Sequence, residues 1–88
     1  MSRVLPVLGN GIRGVAVNEK QLTERVRTMF NRPHVVVEHR RGYGWFICER
    51  GRTMYGFHRK KLLLEYLANA EMRGFLYTPT VRETFGHD

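Results

Sequence analysis

Three cations in succession, Arg59, Lys60 and Lys61, stand where the sequence changes from a β-forming run to a helical one. Lys and Arg are disfavoured in a first helical turn, because the helix N-terminus itself carries about half a positive charge. That partial charge and the free N–H groups beside it suit an anion, so the triplet is matched to phosphate. Together with His58, and with Arg40 and Arg41 at the first turn of the preceding strands, it is the most specific chemical signal in the chain. Catalytic patterns are weaker. His34, His39, His58 and His87 are spread over a strand, a helix start and a tail, and no Ser, Asp or Cys is placed to complete a triad. His39, His58 and Glu38 would make a nuclease centre only with more carboxylates to hold a metal. Gly9-Asn10-Gly11-Ile12-Arg13-Gly14 lacks the Lys-Ser/Thr continuation of a phosphate loop and reads as a turn. The single cysteine, Cys48, allows neither an intrachain disulfide nor a Cys/His cluster for zinc. The expectation is a protein that is not an enzyme and takes no metal or cofactor.

The elements that must position these cations can be read from 88 residues, one domain's worth of chain, with 42% hydrophobic content to build a core. Val4 to Leu8 and Ile12 to Val17 flank Gly9-Asn10-Gly11, which predicts an N-terminal β-hairpin over residues 1–17. Asn18 followed by Gln21 is a capping-box pair, and Leu22, Val26, Met29 and Phe30 form a helical apolar stripe. Pro33 ends that helix, predicted over 18–31. A three-stranded antiparallel meander is expected over 34–57, turning at Arg41-Gly42 and at Arg50-Gly51. A C-terminal helix over 59–73 buries Leu63, Tyr66, Leu67 and Ala70 and ends at Gly74, leaving residues 78–88 as a tail. The fold class is α+β, with the last helix packed on the sheet.

Two-residue loops at both turns would set Val37 opposite Phe46, Val35 opposite Cys48, Phe46 opposite Tyr55 and Gly44 opposite Phe57. One sheet face then collects Val35, Val37, Phe46, Cys48, Tyr55 and Phe57 for the second helix. The other collects Val36, Arg40, Tyr43, Trp45, Ile47 and Met54. That second face is either covered by the N-terminal hairpin or first helix, burying Trp45, or left as a platform for bases.

The path of the chain, up the first strand, down the second and up the third, brings the first turn to the same end of the sheet as the start of the last helix. Arg40, Arg41 and Tyr43 should therefore lie near His58, Arg59, Lys60 and Lys61, with Arg50 and Arg52 at the opposite end. The net charge of +7 follows the same plan. Residues 34–61 carry seven Lys/Arg against two Glu, whereas residues 62–88 carry two Arg against four carboxylates. Such asymmetry is the footprint of a polyanion binder.

A helix, a three-stranded meander and a helix opened by Lys60-Lys61 resemble the double-stranded RNA-binding domain over residues 18–73. The resemblance implies that Lys60 and Lys61 touch phosphates and that Arg40 and Arg41 belong to a loop entering a minor groove. The stretch from Tyr43-Gly44-Trp45 to Tyr66 is also similar to the arm-type and AP2-like DNA-binding domains, in which a three-stranded sheet enters the major groove. The expected function is nucleic-acid binding, to duplex DNA or RNA, through Arg40, Arg41, Tyr43, His58, Arg59, Lys60 and Lys61. The alternative is a protein-interaction module or small inhibitor docking on an acidic partner protein. Apolar runs of only a few residues are too short to span a bilayer, and the lone cysteine fits a reducing compartment, so the expected location is the cytoplasm.

Overall fold

The computed structural model describes residues 18–86, so the hairpin expected over residues 1–17 lies outside the described residues. Helix α1 (Glu19–Phe30) starts at the expected capping box: Asn18 Oδ1 accepts the Gln21 N–H at 2.9 Å, and Gln21 Oε1 accepts the Asn18 N–H at 3.0 Å. Asn31 ends it in the left-handed region at φ 54°. Strands β1 (Val35–Arg40), β2 (Gly44–Glu49) and β3 (Arg52–Phe57) follow as an antiparallel sheet in that order. Helix α2 (Lys60–Arg73) closes on Gly74, whose φ of 87° is one that a side chain would resist. No described helix is long and apolar enough to cross a membrane.

Both long helices pack on the same sheet face. Leu22 and Val26 of α1, Val35, Val37, Ile47 and Phe57 of the sheet, and Leu63, Tyr66, Leu67 and Ala70 of α2 form one buried cluster. The expectation that the first helix or the hairpin would cover the second face is thus corrected for α1.

The register also differs from the expected one. The first turn holds three residues instead of two, so Arg40 pairs with Gly44, Val37 with Ile47 and Val35 with Glu49. The second turn is the two-residue Arg50-Gly51 loop, with Arg52 opposite Glu49, but an irregularity between Ile47 and Cys48 then shifts the pairing. Beyond it Ile47 faces Tyr55 and Trp45 faces Phe57. Because side chains alternate with period two, a one-residue slip turns a whole strand over. Ile47 and Trp45 therefore join the helix-covered face, and Phe46 and Cys48 move to the other. Val35, Val37, Tyr55 and Phe57 keep the face expected for them.

The outer edge of β1 is closed by side chains one helical turn apart on α1. Thr23 Oγ1 accepts the Val37 N–H at 2.8 Å, Arg27 Nε donates to the Val35 carbonyl at 2.7 Å, and Glu19 Oε2 accepts the His39 N–H at 2.7 Å. A sheet edge left unpaired invites another strand; here the helix occupies its hydrogen-bonding groups. Glu19, Thr23 and Arg27, four residues apart, reach the strand edge from one side of the helix.

Part of the expected tail is a third helix, α3 (Val81–Phe85), begun by a second capping box between Thr80 and Glu83. The chain before it tucks Leu76 and Tyr77 into the core, where the Tyr66 hydroxyl donates to the Tyr77 carbonyl. Tyr77 in turn donates to Glu83, and the His58 N–H donates to the Thr84 carbonyl at 2.7 Å. These bonds fasten α3 beside the junction of β3 and α2.

Candidate nucleic-acid interface

The first turn must bring β1 and β2 tightly together, and two glycines let it do so. The Tyr43 N–H donates to the Arg40 carbonyl at 2.9 Å, with Gly42 at φ 84° in the position that is left-handed in a type II turn. Gly44 then passes so close to β3 that a Cβ built on it would lie 2.3 Å from the Phe57 carbonyl oxygen. The turn and the start of α2 are held at one end of the sheet by this contact. Tyr43, Phe46, His58 and Phe85 accordingly line one groove there.

Of the residues expected to form the site, Arg41, Tyr43, His58, Arg59 and Lys61 are exposed at this end, and Lys60 is half-buried. Arg59 is the N-cap residue of α2, in extended conformation, and its side chain makes no capping bond. Its carbonyl receives the Leu62 and Leu63 N–H groups at 3.0 and 3.2 Å. The first turn of α2 holds no acidic residue, in contrast to α1 and α3, which begin with capping boxes and a Glu. The N-terminal end of α2 is therefore left positive where the other two helix starts are neutralised.

Arg40 stands apart from this group. Its guanidinium lies 4.4 Å from the centroid of the Phe46 ring, 3.0 Å from Glu38 and 3.3 Å from Thr53 Oγ1. It lies back over the buried Cys48, on the sheet face opposite α1 and α2, and is partly neutralised by Glu38. Trp45 was expected beside Arg40 and Tyr43; the register places it on the opposite face. There its ring stacks on His39 at 4.4 Å with planes 12° apart, and Lys60 Nζ lies 5.5 Å from its centroid. Trp45 is half-buried, neither a full core residue nor an open platform.

No protein-family model, curated protein or solved structure matches this chain.

Sequence reasoning missed three participants. Phe46 was assigned to the helix-covered face, and Arg82 and Phe85 to a tail. A cleft of about 310 Å³ opens between α2 and α3, lined by Arg59, Lys61, Arg82, Phe85 and one acid, Glu65. Arg82 belongs to the acidic third of the chain and is folded back among the cations. The Thr80–Glu83 spacing, a capping box, was the signal that could have found α3. At the far end of the sheet Arg50 sits in the left-handed region at φ 53°, and Arg50 and Arg52 border a separate hollow with Met54 and Tyr55. Among the described residues, no three His, Cys, Asp or Glu side chains gather to hold a metal.

Proposed function

We propose that this protein binds nucleic acid by gripping the phosphate backbone at the end of the sheet where the first turn meets α2. The observation that carries this reading is the run of Arg59, Lys60 and Lys61 on a helix start that holds no acid, with Arg41 on the adjacent turn and Arg82 facing them from α3. Clustered Lys and Arg meet the dense negative charge of a nucleic acid by releasing its counterions, which makes the interaction salt-dependent and largely indifferent to sequence. The order helix, three strands, helix, with Lys60-Lys61 opening the second helix, is the pattern on which the resemblance to the double-stranded RNA-binding domain rests. On that likeness a duplex is the ligand, and the role is binding and not catalysis. An exposed Trp45 and Met54 patch would favour docking on an acidic partner protein instead, and both residues are half-buried.

Binding to a duplex is tested by titration at several salt concentrations. An affinity falling with a log–log slope of about −3 to −5 supports several neutralised phosphates. Absence of binding to any DNA or RNA at about 50 mM salt removes the reading.

A further inference from the structure

Two hollows meet at the Phe85 ring, and they differ in chemistry. On one side is the cationic cleft of Arg59, Lys61 and Arg82, with Glu65 as its one acid. On the other is a shallow groove of about 360 Å³ walled by Tyr43, Phe46, Phe85 and His58. Tyr43 is 78% exposed and Phe85 68% exposed, although both are large rings that a small domain would ordinarily bury or cover. Phe85 meets His58 only loosely, at 6.3 Å between centroids and 38° between planes, so its faces are not taken up by a close stack. Gly56 also lines the groove, and a Cβ there would sit 2.9 Å from the Phe46 ring, so the glycine leaves room for that ring, over which the Arg40 guanidinium lies 4.4 Å from the centroid. The walls are held in place by bonds described above: Tyr43 by the turn, Phe85 by α3 fastened through Thr84 to His58 and through Glu83 to Tyr77.

An apolar aromatic slot one ring away from a cationic cleft matches a nucleotide, whose flat base and charged phosphate are likewise joined and adjacent. We propose that the groove between Tyr43, Phe46 and Phe85 takes an unpaired base, at an overhang or bulge, whose phosphate lies in the neighbouring cleft of Arg59, Lys61 and Arg82. This deepens the phosphate-binding reading and rests on it. The surrounding positive charge selects a polyanion, and the aromatic walls select one with π-faces; an acidic peptide would satisfy the cations and gain nothing from Tyr43 or Phe85. Stacking of this kind tolerates any base, because every base has a π-face.

Fluorescence anisotropy with three RNA probes tests the proposal: a blunt duplex, the same duplex with one unpaired nucleotide at its end, and that overhang made abasic so that the phosphate stays and the base is gone. The overhang is expected to bind roughly tenfold more tightly than its abasic form. Phe85→Leu and Tyr43→Leu should each abolish the preference for the overhang over its abasic form, the ratio of the two affinities being the readout, whereas Tyr43→Phe should keep the preference. Because both rings are largely exposed, the leucine variants should melt with the wild type. Equal affinity for overhang and abasic probes, with duplex binding intact, overturns the base slot and leaves the phosphate reading standing. No binding to any of the three overturns both. A polyglutamate peptide that displaces the overhang better than the abasic probe does would assign the groove to an acidic protein.

Discussion

Thr23 carries the contact between α1 and the sheet edge, and one substitution isolates it. Its hydroxyl is buried, accepting the Val37 N–H at 2.8 Å and lying 3.4 Å from the Val37 carbonyl. Thr23→Val keeps the shape and the β-branch and removes only the hydrogen bonding. The Val37 amide is then left unsatisfied beneath the helix, at a cost of about 1–3 kcal/mol. For a domain of this size each kcal/mol lowers Tm by roughly 4–8 °C, so a drop of about 8–16 °C is expected for 2 kcal/mol. Thermal melting by circular dichroism reads the loss, and hydrogen exchange at the Val37 amide reads its location. Thr23→Ser retains the hydroxyl and loses one methyl, so it should cost only about 1 kcal/mol and leave the amide protected. A valine variant as stable as wild type, or with the Val37 amide still protected, would refute the edge-capping role.

The two glycines of the first turn should separate cleanly. Gly44→Ala drives a Cβ into the Phe57 carbonyl and should cost about 3 kcal/mol, whereas Gly42→Ala meets open space and only the strain of its φ, about 1 kcal/mol, as read by urea midpoints. Stability should also depend on pH at both extremes. Burial pushes the Tyr66 and Tyr77 phenols above their ordinary value of 10.0, and the Glu83 bond raises Tyr77 further. A raised acid stabilises the fold fully below its unfolded value and loses that contribution as pH climbs, so Tm should fall above about pH 10, less steeply in Tyr66→Phe. Burial pushes the Glu83 carboxyl up, but the bonds from Tyr77 and Thr80 outweigh it and hold it below 4.5. Its contribution is complete above that value and should fade as pH falls below about 4, an acid limb that Glu83→Gln flattens.

The helices were legible in the sequence where local chemistry specifies them. Asn18 with Gln21, the stripe containing Leu22 and Val26, and Gly74 after Arg73 each act within a turn or two of helix, so single residues suffice to place them. The sheet was legible in its strands and directions but not in its register. Arg41-Gly42-Tyr43-Gly44 offers two glycines, and pattern alone does not say whether Tyr43 is in the loop or in the strand. That one residue turned β2 over and sent Trp45 and Ile47 to the helices. The irregularity at Met54, between the Ile47–Tyr55 and Cys48–Thr53 pairs, has no signal of its own in the sequence. The placing of Arg41, Tyr43, His58, Arg59, Lys60 and Lys61 at one end of the sheet follows from strand direction, which a slip does not alter, whereas the Arg40 side chain turns back to Phe46 and Glu38. What escaped was α3, five residues too short to show a period, whose Arg82 and Phe85 matter only once Tyr77 and Thr84 have fastened it in place.

On the proposed function, the end of the sheet bearing the α2 start, and not charge in general, grips phosphate. Salt titration of duplex binding should be run on two double variants, Lys60→Ala with Lys61→Ala and Arg50→Ala with Arg52→Ala. Each removes two positive charges, and the two pairs lie at opposite ends of the sheet. Both should stay folded, the first losing about 1 kcal/mol with the Lys60–Trp45 contact. If Lys60 and Lys61 each neutralise a phosphate, their loss should weaken binding strongly and make the log–log salt slope shallower by about 2, while the Arg50/Arg52 pair leaves the slope near that of wild type. Equal losses from the two pairs, or a larger loss from Arg50 and Arg52, would show that the α2 end of the sheet is not the phosphate site.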